Sequence, residues 1–339
     1  LQYSATEGIP QFRKAIADRM NKKCGTAVSA DEVLVTSGSQ QGLDITGKVF
    51  LDEGDLIFCE SPTYLGALQA FAASEPVYDE LGSSPNNRTA ASYAETAQTA
   101  GGEVKFAYVV PDFSNPTGET VSVAGRRHIL SLAADLDIPV IEDNPYTALR
   151  YEGEGLPFLQ ALDVADRGGI DQSRVIHLGS FSKVFTPGLR IGWVCAAKPI
   201  IQRLVLVKQA SDLNASALNQ AVMARLAETE FDAQVARACD SYRTKRAAML
   251  EALKQHMPDG ATWSQPDGGL FVWVTLPDGY DTGALLPDVV AKARVAYVPG
   301  HAFFADGGGR NTLRLSFSLP SPEVIRQGIE RLGAVLKAV

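Results

Sequence analysis

A lysine, an arginine and two hydroxyls lie close together in Gly179-Ser180-Phe181-Ser182-Lys183, with Arg190 seven residues further on. Guanidinium and hydroxyl donors are what a phosphate group requires. A lysine packed among cations and apolar walls has its pKa lowered, so its free amine can act as a nucleophile. A solvated loop lysine is the bland alternative, and the neighbouring residues weigh against it. Three further clusters invite the same attention. Thr36-Ser37-Gly38-Ser39-Gln40-Gln41-Gly42 is a small-residue turn leading into a helical pattern. The free N–H groups of such a helix start can cradle an anion, although an ordinary turn reads the same way. In Pro111-Asp112-Phe113-Ser114-Asn115-Pro116-Thr117-Gly118 the proline pushes Asn115 toward an extended backbone, from which its amide can enter a cleft; a plain Asn-Pro turn is the alternative. Glu142, Asp143 and then Tyr146 follow Val140-Ile141. A carboxylate closing a buried strand is costly unless something cationic meets it, or unless it caps the next helix.

These residues need a scaffold, and the apolar runs supply one. Val33-Leu34-Val35, Leu56-Ile57-Phe58-Cys59, Phe106 to Val110, Val140-Ile141, Val175-Ile176-His177-Leu178 and Trp193-Val194-Cys195-Ala196 are short, β-branched or aromatic, and bounded by turn formers. Near-continuous apolarity means both faces are covered, as in a mainly parallel sheet flanked by helices. Between them, Ile129, Leu132, Ala133 and Leu136 form a helical stripe, as do Ile9, Phe12, Ile16 and Met20. In such an α/β fold, ligands bind beyond the carboxyl ends of the strands, which is where all four clusters fall. Together they offer a phosphate nest, a nucleophilic lysine, a buried carboxylate and an Asn/Tyr pair. Pyridoxal 5'-phosphate asks for that set: its aldehyde condenses with a lysine amine, and a facing Asp keeps its pyridine nitrogen protonated.

Past residue 215 the pattern changes to a long helix carrying Val235, Cys239, Tyr242, Met249, Leu253 and Met257, then strands at 270–274 and 313–317. Ser321-Pro322-Glu323 opens the last helix with an N-cap and a proline at the first position. We therefore expect a large domain over residues 1–215 and a smaller α+β domain over 216–339. The Ser/Asn/Gly/Thr-rich stretch from Leu81 to Gly102 reads as a surface excursion, and no internal repeat is visible.

Hydrophobic residues at 45% and charged ones at 21% of 339 fit a globular enzyme and exclude a disordered chain. The net charge of −8 disfavours a sequence-independent grip on nucleic acid. No apolar run approaches the ~18 residues of a membrane span. The four cysteines, Cys24, Cys59, Cys195 and Cys239, are scattered, which suggests reduced thiols in a cytoplasmic protein; the four histidines are scattered too, and no zinc cluster is expected. The start at Leu1-Gln2-Tyr3, with neither Met nor a signal-like segment, suggests a chain that begins inside a longer protein.

Eight stretches in order resemble the pyridoxal-phosphate-dependent class I/II aminotransferases of fold type I, over nearly the whole chain. The likeness is strongest to the 2-aminoadipate/kynurenine aminotransferase subgroup. The stretches are Leu1-Gln2-Tyr3-Ser4, Gly38 to Asp44, Pro62-Thr63-Tyr64, Asn115-Pro116-Thr117-Gly118, Glu142 to Tyr146, Ser180 to Lys183, Pro187 to Arg190 and Leu313 to Ser316. The resemblance implies that Lys183 bonds the cofactor and then carries the substrate proton. It implies that Asp143 pairs with the ring nitrogen, that Asn115 and Tyr146 bond the ring hydroxyl, and that Tyr64 stacks on the ring. Gly38, Ser39, Gln40, Ser180, Ser182 and Arg190 would bind the phosphate, with Tyr3 reaching it from the partner subunit of a homodimer with shared active sites. Arg314 would clamp the substrate carboxylate beside Asn115. Asn144 and Ser180 depart from common family residues without disturbing a role. The family usually carries a segment before Tyr3 that covers the substrate pocket, which leaves the choice of side chain open.

The implied reaction is a ping-pong transfer of an amino group from an L-amino acid to a 2-oxo acid, by family analogy 2-oxoglutarate. Three other readings compete. Ser180-Phe181-Ser182-Lys183 matches an SxxK acyl-enzyme motif, but Ser211-Asp212-Leu213-Asn214 is not SDN and no KTG is present. The same scaffold serves as effector domain in GntR/MocR-like transcription regulators. Fold-type I lyases use the same lysine for elimination or decarboxylation.

Overall fold

The computed structural model describes residues 2–81 and 88–339. Residues 82–87, within the expected surface excursion, and Leu1 lie outside the described residues. The chain begins with α1 (Pro10–Cys24), β1 (Val33–Thr36), α2 (Ser39–Phe50), β2 (Leu56–Cys59), α3 (Leu65–Phe71) and β3 (Val77–Glu80). Next come α4 (Ala90–Ala100), β4 (Val104–Val109), α5 (Val123–Asp135), β5 (Val140–Asp143), α6 (Leu159–Arg167), β6 (Val175–Ser180) and β7 (Gly192–Cys195). These strands form a seven-stranded sheet in the order β1-β7-β6-β5-β4-β2-β3. Strand β7 runs antiparallel to both neighbours, and the other pairings are parallel. The chain reverses at Arg190, so β7 enters from the end where the parallel strands finish.

Alternation within the strands divides the core in two. Phe58, Ala107, Val109, Val140 and Val175 pack with Tyr93 of α4, Ile129 and Ala133 of α5 and Leu159 of α6. Ile57, Phe106, Tyr108, Ile141, Ile176 and Leu178 face the other way, toward the cluster that includes Phe12 and Ile16 of α1 and Leu43 of α2. Both faces being dry explains why the strands read as unbroken apolar runs.

The stretch 81–102 is not a plain surface excursion. Thr89 caps α4 by accepting from the Ser92 N–H, Gly101 ends it in the left-handed region at φ 88°, and Tyr93 and Ala97 are buried against the sheet. An alanine-rich helix with two inward residues carries too weak an apolar stripe to be seen in sequence. Strand β3 was hidden for a similar reason, since this edge strand is only half-buried.

The rest of the chain comprises α7 (Lys198–Asp212), α8 (Ala217–Thr229), α9 (Phe231–His256), β8 (Thr262–Trp263), β9 (Phe271–Thr275), α10 (Thr282–Ala293), β10 (Val298–Pro299), β11 (Thr312–Ser316) and α11 (Pro322–Leu336). Its four strands form an antiparallel sheet in the order β10-β11-β9-β8. Ser321 caps α11 through the Val324 N–H, with Pro322 at the first helical position. This second sheet is anchored to the first at the segment before β9. Tyr151 N and Glu152 N donate to Asp267 O, Gly269 N donates to Leu149 O, and Tyr151 Oη donates to Gly269 O. Those bonds fix the position of β9, and through its register partner Trp273 they fix Arg314 on β11.

Among the described residues, no helix is long and apolar enough to cross a membrane, and no group of three His, Cys, Asp or Glu side chains could hold a metal. Cys59 and Cys239 are free, buried thiols, and Cys195 is buried as well; the Cys24 side chain lies outside what is described.

Candidate active site

At the carboxyl ends of the parallel strands lies a cleft lined by Ser39, Gln40, Tyr64, Val110, Asn115, Asp143, Pro145, Tyr146, Ser180, Ser182, Lys183 and Arg190. Most of the residues expected from the sequence are thus brought together. Gly38 and Arg314 stand just behind this lining, and Tyr3 does not join it: its side chain is 81% exposed in the single chain.

One end of the cleft is an anion cradle. Gly38, at φ 79°, is the N-cap of α2 and no side chain caps the helix, so its first N–H groups face the cleft unclaimed by a capping side chain. Arg190 is itself left-handed at φ 53°. It donates from Nη1 to Ser182 Oγ at 3.2 Å, and from Nη2 to the Ser37 carbonyl at 3.5 Å. A Cβ on Gly38 would stand 2.3 Å from Arg190 Nη2, so the missing side chain is what lets the guanidinium lie against the turn. Ser180 Oγ accepts from the Ser182 N–H at 3.1 Å, shaping the turn after β6.

Asp143 forms the floor. Its Oδ2 accepts from Tyr108 Oη at 3.0 Å, while its Oδ1 is buried and without a partner. Burial pushes this carboxyl up to about 6, against the Tyr108 hydrogen bond and the electrostatic influence of His177 and Lys183, which hold it down. The helix-capping role that sequence left open for a carboxylate here belongs to its neighbour. Glu142 points through the opposite face of the sheet and accepts from Leu159 N at 2.7 Å and Gln160 N at 3.2 Å, the start of α6. Its Oε2 also lies 3.1 Å from His177 Nδ1.

Lys183 follows β6 with its Nζ 5.9 Å from the centroid of the Tyr146 ring. Burial lowers its pKa, Asp143 opposes the shift, and Arg190 and Arg314 add to it. Burial raises Tyr146, with Tyr64 and Asp143 adding to the effect and Arg314 and Asn115 opposing it. Tyr64 Oη donates to Gln40 Oε1 at 3.3 Å, tying the aromatic wall to the cradle. Arg314 reaches in from β11, donating from Nη1 to Asn115 Oδ1 at 2.6 Å. Its guanidinium carbon lies 4.2 Å from the Phe271 ring centroid, and its Nε is buried without a partner.

Tyr108, Val110 and Pro145 were missed in the sequence. Val110 and Tyr108 sit inside an apolar run and read there as core; only the alternation of β4, which puts Tyr108 on the Asp143 side, separates them.

A phosphorylated pyridine aldehyde fits these residues. The cradle offers cationic, hydroxyl and N–H donors to a phosphate, and the unpartnered Asp143 oxygen requires a donor such as a pyridinium N–H. Lys183, with its lowered pKa, lines the same cleft.

The chain is similar to known proteins over nearly its whole length. The family model described as aminotransferase class I and II matches residues 1–332. The chain is 41% identical over 341 residues to aromatic-amino-acid aminotransferase 1 of Thermococcus litoralis, covering 99% of this chain and 80% of that one. The crystal structure of Pyrococcus horikoshii kynurenine aminotransferase, in complex with PMP, superposes with a TM-score of 0.91 at 38% identity, covering 100% of this chain and 82% of that one. The chain is also 30% identical to the Bacillus subtilis protein named uncharacterized HTH-type transcriptional regulator YisV, over 97% of this chain and 66% of the regulator. The protein belongs to the class I and II aminotransferases. It is a fold type I, pyridoxal-phosphate-dependent enzyme that transfers amino groups.

Proposed function

We propose that this aminotransferase works with an L-amino acid as donor and 2-oxoglutarate as acceptor, in two half-reactions at one cleft. The observation that carries the reading is the convergence of Lys183, Asp143 and Arg190 on one cleft, with Arg314 bonded to its wall at Asn115. Bound pyridoxal phosphate supplies an electron-withdrawing ring that stabilises negative charge at the substrate α-carbon. The residues do the rest. Ser39, Gln40, Ser180, Ser182, Arg190 and the turn at Gly38 would hold the phosphate. Asp143 Oδ1 would accept from the ring N–H and keep the nitrogen charged. Asn115 and Tyr146 would orient the ring hydroxyl, and Tyr64 would cover the ring. Arg314 binds the substrate carboxylate as a charge-assisted pair, which turns the α C–H bond toward Lys183. With cofactor bound, the lysine Nζ would take the proton from that carbon and hold it for return within the same cleft. Burial lowers its pKa, which favours the free amine that this proton transfer needs.

Aromatic donors come first among candidates. The Thermococcus and Pyrococcus relatives are named for aromatic amino acids and kynurenine, and the Arg314 guanidinium is flanked by Phe271 and Phe303. The test is a panel of amino donors against 2-oxoglutarate, following glutamate and the new 2-oxo acid. Ammonia released without an acceptor would replace transamination by a lyase reaction. Binding of cofactor and amino acids with no turnover would favour the regulator reading.

The proposal includes a homodimer in which Tyr3 meets the phosphate of the partner subunit. The exposure of Tyr3 supports it, as do Leu206 on α7 and Leu218 and Val222 on α8, large apolar residues left open in one chain. It also places the division between the two domains near residue 215, where α7 gives way to α8, and the enzyme in a reducing, cytoplasmic setting that suits the buried free thiols Cys59 and Cys239.

A further inference from the structure

Lys208 on α7 is a fully buried lysine that the mechanism above does not use. Its Nζ donates to Asp212 Oδ1 at 2.6 Å, one helical turn further on. The second oxygen of that carboxylate leaves the helix's own side chains. Asp212 Oδ2 accepts from Gln41 Nε2 at 2.8 Å and from Ser37 Oγ at 3.2 Å. Gln41 turns back on the same loop, its Oε1 accepting from the Ser37 N–H at 2.8 Å. These bonds bracket Gly38, Ser39 and Gln40 from both ends, while Arg190 holds the Ser37 carbonyl between them.

The chemistry of the pair favours a positioning task over a stabilising one. A buried ammonium must be paired, and hydrophobic residues of similar volume often serve stability as well. Here the charge keeps a carboxylate ionised where it must accept from two side chains at once. Burial pushes the Asp212 carboxyl up, but hydrogen bonds from Lys208, Gln41 and Ser37 and the lysine's charge outweigh it and hold it below the usual range. A cradle made of backbone N–H groups and a left-handed glycine has little rigidity of its own, so its precision has to come from the shell behind it.

We propose that Asp212, charged and fixed by Lys208, is a positioning residue for the cofactor's phosphate: it locks the Ser37–Gln41 turn so that the α2 N–H groups, Ser39 and Gln40 converge on the anion. This rests on the assignment of that turn to the phosphate. The lock acts on the phosphate end alone, so removing it discriminates between pyridoxal 5'-phosphate and pyridoxal, which lacks the phosphate.

The experiment measures dissociation constants of both compounds for the full-length apoprotein, by the absorbance of the bound chromophore, in Asp212→Asn, Asp212→Glu and Arg190→Gln. Asp212→Asn should weaken pyridoxal 5'-phosphate by about 10- to 100-fold, the range for loss of a supporting partner, and leave pyridoxal unchanged. Asp212→Glu should recover part of the loss. If Arg190→Gln shows the selective loss and Asp212→Asn weakens both compounds alike, or neither, the lock is refuted and the cradle stands. If Arg190→Gln is not selective either, the cradle assignment itself fails. Should Asp212→Asn not fold, Gln41→Met removes the other half of the link and is read by the same ratio.

Discussion

Tyr108→Phe should move the titration of Asp143 upward and leave the shape of the site intact. The variant deletes one O–H donated at 3.0 Å to a carboxylate that is 2% exposed. A hydrogen bond to a charged group contributes about 1.5–3 kcal/mol. At about 1.4 kcal/mol per pH unit, its loss is worth ~1–2 units. Asp143 then shifts from about 6 to roughly 7–8. The remaining groups that bear on it are His177 from β6 and Lys183 beyond it, both of which still lower it. At pH 7 the carboxyl is therefore about nine-tenths ionised in the parent and about half or less in the variant. The stability consequence has a definite sign. A folded-state pKa above the unfolded value of ~3.9 means that stability is fully present below that value and is lost as pH rises through the folded pKa. For the parent apoprotein the loss ends near pH 7; for Tyr108→Phe it continues by another ~1.4–2.7 kcal/mol toward pH 9. Carbon-13 NMR of labelled aspartate carboxyls in the apoprotein gives the midpoint, with Asp143→Asn identifying the resonance, and urea unfolding at pH 6 and pH 9 gives the energy. A midpoint that stays where it is in the parent would show that the tyrosine does not hold the carboxylate.

Lys183→Ala should abolish turnover together with the yellow colour of the loaded enzyme, both read in one cuvette. Asp143→Ala should still bind cofactor but lose about 10²–10³-fold in kcat, as expected for one preorganised electrostatic partner; full activity in either variant contradicts the roles given. Arg314→Gln should raise KM for the amino donor by about 10²-fold, since two charge-assisted hydrogen bonds at ~1.5 kcal/mol each are lost; an unchanged KM would place the carboxylate elsewhere. Gly38→Ala puts a Cβ 2.3 Å from Arg190 Nη2 at a φ of 79°. Strain of ~1–3 kcal/mol should weaken pyridoxal phosphate binding by at least about fivefold in an apoenzyme titration.

The strands and their order of chemistry were legible because the sheet is buried on both faces. Every strand of that sheet but β3 was an apolar run, and each functional cluster began where a run stopped. What the sequence hid was whatever did not depend on apolar pattern. Helix α4 shows the sheet only Tyr93 and Ala97 among small residues, and β3 is a half-exposed edge. Tyr108 is indistinguishable from core by type, since its hydroxyl matters only through a carboxylate on the neighbouring strand. The Lys208–Asp212 pair lies more than 160 residues from the turn it holds, as the separations of 175 and 171 for its two contacts show. Spacing along a chain cannot reveal such a contact. Arg314 was reachable only by resemblance; a strand arginine in a salt bridge looks the same.

Two consecutive carboxylates on β5 show how the fold divides labour. Strand alternation sends Glu142 and Asp143 to opposite faces. Glu142 meets two helix N–H groups, the Asn144 amide and an imidazole nitrogen, so its oxygens are taken up by architecture. Asp143 meets one hydroxyl and keeps a buried oxygen unanswered. Leaving a buried acceptor unpaired costs about 1–3 kcal/mol, more when it is charged. Tyr108, His177 and Lys183 do not fully offset that cost, since the carboxyl stays raised to about 6. A stable core would not keep such an oxygen at the end of its central strand. A site that binds a ring N–H would, because the stability withheld from the apoprotein is returned as affinity for the ligand that completes the pair.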